Sequence, residues 1–296
     1  MSTTTILYVI TLLSIPLLVL AYKKREEDES RLGWKIAGYY LLGSFTLNLN
    51  DLALPLGFLL FLLFFRPVKN RATKQNAAYL GLVLFLSQLI VPAIEEYIYE
   101  RPREIAASSS HPFQVDFNED WAMIQKKFEV NPDARLDDFR AEYQKNGQLE
   151  ELSYDIVARS ENGFVLYDVV YSPEKNRYTV RRRNVGDQWL QYERSVLASR
   201  FFEVVDDVQN RALSQQQSSQ ATILIDSDGQ LVSYGIRHRD KYRIDDDDIQ
   251  PIADDSLPVT GYTISTCERI DMSDSTTGVT RSRGCIHPVD YVFDAM

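Results

Sequence analysis

The chain has 296 residues and a formal net charge of −10, a length that allows one or two domains. Its charge is unevenly divided: residues 1–100 hold 9 Lys and Arg against 8 Asp and Glu, and residues 101–296 hold 23 against 34. The acidic part argues against nucleic-acid binding and against docking on anionic lipid headgroups, both of which need clustered cations.

Residues 6–22, from Ile6 to Tyr22, carry no charge and reach the lower length limit of a spanning helix. A cleaved signal peptide is the alternative, and it needs a positive segment ahead of the apolar run. Here no basic side chain precedes the run, and Lys23, Lys24 and Arg25 follow it. That order predicts a retained anchor with its N-terminus outside the cytoplasm. A second apolar stretch, 36–65, is interrupted by Asn48, Asn50, Asp51 and Pro55. As one helix it would run about 45 Å and place amide and carboxylate groups near mid-bilayer. Two short segments, 36–49 and 52–66, turning at Asn48–Asp51 avoid both problems, as full spans or as a re-entrant hairpin. A final segment, 77–96, ends at Glu95 and Glu96. The loops 23–35 and 66–76 hold all nine basic residues of the first hundred, and the turn between them has none. The positive-inside rule puts both loops in the cytoplasm, giving four membrane segments with both termini outside. Three spans with a cytoplasmic C-terminal domain is the alternative, and it would expel the 66–76 loop.

Residues 101–112, rich in Pro, Ser and Ala, read as a linker to a soluble domain over 113–296. Asn118 is a candidate cap for a helix with Trp121, Ile124 and Phe128 on one face. Asn131-Pro132 then predicts a second helix carrying Leu136, Phe139 and Tyr143 and stopping at Gly147. Strands are predicted at 151–158, 164–171 and 177–183 as an antiparallel meander. The apolar face of Trp189, Val196, Phe201, Val205, Val208 and Ala212 predicts a helix over 188–213. A hairpin of 221–226 with 230–239 across Ser227-Asp228-Gly229 follows, then strands at 259–269 and 287–293. The expected fold is thus a membrane α-helical region, its middle two segments a hairpin, plus an α+β domain. In that domain helices pack on an antiparallel sheet, and the element order suggests two repeated halves.

Cys267 and Cys285 are the two cysteines. Outside the cytoplasm they are expected to pair, stapling the polar stretch 268–284. Free thiols are one alternative, and zinc bound with His287 of Cys285-Ile286-His287 is another, though zinc needs further ligands. Asp226-Ser227-Asp228-Gly229 matches the start of a calcium loop, but the position for its bidentate Glu holds Arg237, so a turn is the simpler reading. Asp245, Asp246, Asp247 and Asp248 form a run that could hold a divalent cation weakly or be a solvated loop. Arg181, Arg182 and Arg183 could meet an anion or partner, or compensate nearby acids. Glu95-Glu96 fails the pattern of intramembrane metalloproteases, since Arg101 lies one residue late and no His occurs in residues 1–100. His111, His238 and His287 are scattered, and no phosphate loop, nucleophile elbow or dinucleotide fingerprint is present.

These features point first to a membrane-anchored, non-enzymatic sensor, adaptor or assembly protein. Its extracytoplasmic domain would bind a protein or small ligand, with the lipid bilayer and a membrane or envelope protein as partners and no cofactor. An extracytoplasmic hydrolase-type enzyme is the second reading; paired acids with raised pKa values would favour it. A transport subunit built on 36–65 is the third, weakened by the scarcity of charge within the spans.

Overall fold

The computed structural model describes residues 3–49, 52–109, 115–161, 163–215, 221–245, 248–273 and 280–295. The chain divides into two compact units, Met1–Tyr99 and Glu100–Met296.

The first unit is built from α1 (Thr3–Lys23), α2 (Leu32–Ser44), α3 (Leu56–Leu63) and α4 (Arg71–Glu100). Among them α1 and α4 are long and apolar enough to cross a membrane. At 1.5 Å per residue α2 and α3 reach about 20 and 12 Å, less than a hydrocarbon core of about 30 Å. The helical arms are thus shorter than the predicted 36–49 and 52–66. Between them β1 (Leu47–Leu49) and β2 (Leu52–Leu54) pair antiparallel, with Asn48 opposite Ala53. The ribbon satisfies backbone groups that the helix-interrupting Pro55 would leave open. Glycine lets the helices meet backbone to backbone: a Cβ on Gly43 of α2 would lie 2.1 Å from the Ala78 carbonyl oxygen of α4.

The two basic loops are tied together by a polar cluster around the buried Asn70 and Lys74. Glu29 pairs with Lys35 at 2.6 Å and with Lys74 at 2.8 Å. The Asn70 side chain, 1% exposed, accepts from the Glu26 and Glu27 N–H groups and donates to the Glu27 carbonyl and to Glu29. Lys35, then Lys74 and Asn70, hold the Glu29 carboxyl down to about 2.

In the second unit a short strand, β3 (Arg103–Ala106), opens the domain inside the predicted linker, and α5 (Phe117–Phe128) follows. The cap of α5 is Asp116, not Asn118, because the helix begins early enough to bury Phe117. Asp206, from the other helix of the domain, also accepts from the Phe117 and Asn118 N–H groups. The meander appears as β5 (Leu149–Ser160), β6 (Gly163–Ser172) and β7 (Arg177–Gly186), preceded by β4 (Arg135–Tyr143).

The expected helix over 131–147 is therefore a strand. A register shift between Leu136 and Asp138 turns both Leu136 and Phe139 inward and breaks the two-residue period of β4 into a helix-like spacing. The helix expected at 188–213 starts only at Ala198, as α6 (Ala198–Ser214). The chain before it is held extended: the Leu136 N–H donates to the Val196 carbonyl, and the Val196 N–H donates to the Gly229 carbonyl.

The remaining strands are β8 (Thr222–Ser227), β9 (Leu231–Tyr234), β10 (Asp240–Asp245), β11 (Asp248–Pro251), β12 (Val259–Ser273) and β13 (Thr280–Phe293). Among the described residues the sheet runs β11-β10-β13-β12-β8-β4-β5-β6-β7-β3, with β9 also on β12. It is mixed rather than antiparallel throughout, because β10 and β13 are parallel. Nor do β8 and β9 form the expected hairpin. Both pair with β12, one after the other along its length. Gly229 makes that redirection possible: its φ is +65°, and a Cβ there would lie 2.6 Å from the Leu136 carbonyl oxygen.

Helices α5 and α6 pack over one face of the sheet, and the core centres on aromatic rings. Phe139 lies 5.0 Å from Phe201, 5.5 Å from Phe117 and 6.3 Å from Tyr154, ring centre to ring centre. Phe139→Ala should lower the unfolding free energy by roughly 3–5 kcal/mol, the range for deleting a fully buried aromatic side chain. Denaturant unfolding of the full chain in detergent, followed by tryptophan fluorescence, measures it. A loss below about 1 kcal/mol would place the core elsewhere.

Candidate functional site

The parallel pairing of β10 with β13 sets Asp240 opposite Val289. Two residues earlier on each chain segment stand His238 and His287, which the sequence leaves 49 positions apart. Both have positive φ, 58° and 48°, where each segment turns into its strand or bends within it. They line one groove together with Arg239, Asp240, Lys241, Asp254 and Pro288. Lys241 is buried and ion-paired with Asp254, whose carboxylate also accepts from the His238 backbone N–H at 3.4 Å. The Lys241 ammonium is the main reason that the Asp254 carboxyl sits below its usual range. Beneath the groove Asp290, 1% exposed, accepts from the Tyr234 hydroxyl at 2.6 Å and from the Ser265 hydroxyl at 2.7 Å. Its second partner on Oδ2 is Arg239, at 3.1 Å. Burial and this carboxylate push the Tyr234 hydroxyl well above its ordinary pKa.

A cavity of about 400 Å³ adjoins the groove and shares Asp240 and His287 with it. Its other walls are Thr266, Cys267 and Glu268 of β12, Tyr242, Tyr291 and the C-terminal end of α6 at Ala212 and Gln215. The Tyr242 and Tyr291 rings stack at 5.7 Å, and the Arg211 guanidinium lies 4.4 Å from the Tyr242 ring centre.

The structure holds a disulfide between Cys267 and Cys285, with the Cα atoms 5.7 Å apart on β12 and β13. The enclosed stretch is drawn out as the ends of these two strands rather than as a solvated loop, and 274–279 lie outside the described residues. With both sulfurs bonded to each other no thiolate remains for zinc. Among the described residues no group of three or more His, Cys, Asp or Glu is placed to hold a metal.

The other sequence candidates fall apart from this site. Asp245 and Asp248 stand opposite each other where β10 pairs with β11, hydrogen-bonded to Arg243 and Gln250. Asp246 and Asp247 lie outside the described residues, as does His111. Arg181 stands opposite Asp168 and 3.3 Å from Glu100; Arg182 and Arg183 stand opposite Tyr167 and Leu166. Asp226-Ser227-Asp228-Gly229 is a turn in which Ser227 accepts from the Gly229 N–H and Asp228 from the Gln230 N–H.

The sequence also hides a row of acids on the sheet face away from the helices. Strand register sets Asp138 opposite Asp155 and Asp155 opposite Asp168. Burial first, then Asp168, pushes Asp155 up to about 6; burial also raises Asp138 and Asp226. Alternation along 151–158 marks Asp155 as outward, but only the pairing across three strands shows the row. It lies on the sheet surface and not in the groove or cavity.

The model of an archaeal family matches residues 118–285, more than half of the chain. No curated protein and no solved structure matches it.

Asp155 binds its proton more tightly in the folded protein, near pH 6, than at its ordinary value of 3.8. Between these values the folded state holds the extra proton, so stability falls as the pH rises from about 4 to 6 and stays lowered above. Asp155→Asn should therefore stabilise the protein at pH 8, by about 1 kcal/mol once solvent screening at this half-exposed position is allowed for. It should have no effect near pH 3.5. Denaturant unfolding at the two pH values checks this, and equal effects at both would refute it.

Proposed function

The chain belongs to an archaeal protein family, and we propose that it is a membrane-anchored, non-enzymatic sensor, adaptor or assembly protein whose outer domain binds a small ligand or a protein. The observation that carries this reading is the cavity beside the His238 and His287 groove. Its volume of about 400 Å³ falls in the range of small-molecule sites, and its walls come from paired strands rather than loops. Its lining is more polar than apolar, with Asp240, Thr266, Glu268 and His287 beside the Tyr242 and Tyr291 rings, which suits a polar ligand that also offers a flat face.

The membrane layout has separate support. Helices α1 and α4 have the length of spans, and the nine basic residues of this region sit in, or at the helix ends beside, the two connections that Glu29 and Asn70 join. One side of the bilayer then holds both loops, and the positive-inside rule makes it the cytoplasm. The middle two of four membrane segments form a hairpin that enters and leaves on that side, since α2 and α3 are too short to cross alone. The C-terminal domain lies outside the cytoplasm, where a disulfide persists. Its two halves are repeats in this reading. The adjacent antiparallel strands β4 and β8 are each the first sheet strand after a helix, α5 and α6. A membrane or envelope protein is the fitting partner of such a domain.

In intact cells a membrane-impermeant maleimide should leave the protein unlabelled, and should label Cys267 and Cys285 after treatment with an impermeant reductant. Labelling that requires opening the cells would place the domain in the cytoplasm. Native mass spectrometry on protein drawn from its own membranes should show a bound small molecule that Ala212→Trp, which fills the cavity mouth, displaces. An unchanged bound species in that variant would remove the cavity as the site.

A further inference from the structure

Helix α4 is packed along only part of its length. Lys74, Ala77, Ala78, Gly81, Leu84 and Phe85 are buried, and no residue from 86 to 98 is. The buried positions recur at steps of three and four, and the same stripe continues through Gln88, Pro92 and Glu95. Helix α2 stops short of that continuation, because it ends at Ser44 and its Gly43 already lies against Ala78.

Gln88 is the anomaly on the uncovered part. It stands within the apolar run 77–94, six residues and about 9 Å below Ile94, farther than its side chain can reach. The side chain is exposed and makes no hydrogen bond among the described residues. Its main-chain carbonyl also lacks the usual i+4 donor, because the residue four places on is Pro92, which has no N–H. A carboxamide without a partner, beside a carbonyl that has lost its i+4 donor, is strongly disfavoured in hydrocarbon. Neighbouring Ser87 shows the usual remedy, its hydroxyl donating to the Val83 carbonyl at 2.8 Å.

We propose that a second copy of the chain covers this face, the two α4 helices pairing in parallel about a two-fold axis at Gln88. The inference rests on the reading of α4 as a membrane span. A carboxamide carries two donors and an acceptor, so it complements itself, and a two-fold axis brings identical groups to the same depth. Each Gln88 amide then donates to the Gln88 side-chain or main-chain oxygen of the other copy.

The test uses the full chain. Light scattering in a mild detergent should give a polypeptide mass about twice 34.1 kDa. Gln88→Leu should weaken the dimer about tenfold or more, and Gln88→Asn should keep it. In membranes, Gln88→Cys should form a disulfide-linked dimer under mild oxidation, while Val83→Cys, on another side of the helix, should not. Alkaline carbonate extraction runs alongside. Release of the protein would overturn the span reading itself. Retention with a monomeric wild type, with an undiminished Gln88→Leu dimer, or with a different protein cross-linked to Gln88→Cys would overturn the pairing alone.

Discussion

The pairing of β4 with β8 is the junction on which the C-terminal domain depends. Ala141 stands opposite Ile225 there, and on either side of that line the strands belong to different stretches of the chain. The α5 stretch supplies β4 to β7, and the α6 stretch supplies β8 to β13. The junction is covered from one face by the rings of Phe117, Phe139, Phe201 and Phe202, so both helices close over the same seam. Such a non-local contact carries a large loop-closure entropy, which burial of the whole seam offsets. The groove and cavity at the far end of the sheet inherit their shape from it through β12 and β13.

Buried charge marks the same seam. Glu142, 1% exposed, accepts from the Thr222 hydroxyl of β8 and pairs with Arg269 of β12 at 2.8 Å. Three strands are thereby tied by one carboxylate, and a shifted register would strand it without partners. Asp120 of α5, also buried, joins that helix to the sheet, accepting from the Tyr178 hydroxyl of β7 at 2.5 Å and from the Ser108 N–H at 2.6 Å. Inside this acidic domain Glu142 thus marks strand register, and Asp120 fixes a helix on the sheet.

How much of this is legible in the sequence follows the range of the signal. The strands β5, β6 and β7 are short-range objects, set by turn residues and alternation, and they appear where those signals put them. The apolar face of α6 is legible too, although Trp189 extends the pattern falsely, since its ring packs near Val157 and Leu166 on the other side of the sheet. β4 is misread because one bulge at Asp137 imitates a helical period. The partners of β8 and β9 depend on β12, some 30 residues later, and no local pattern carries that. His238 and His287 look scattered for the same reason: a parallel register makes them neighbours, and register is a property of the finished sheet.

The bulge at Cys267 joins several of these features. A register shift between Thr266 and Glu268 lets both side chains, with Cys267, border the one cavity, which regular alternation would forbid. Bulges weaken the ladder where they occur, and the disulfide to Cys285 restores the connection covalently at that point. Closing a loop of this length contributes about 3 kcal/mol through the unfolded chain. Cys285 is two residues from His287, so the same bond fixes the start of the stretch that carries His287 to the groove. The cavity wall at Cys267 and the stretch that carries His287 are therefore held by one covalent link.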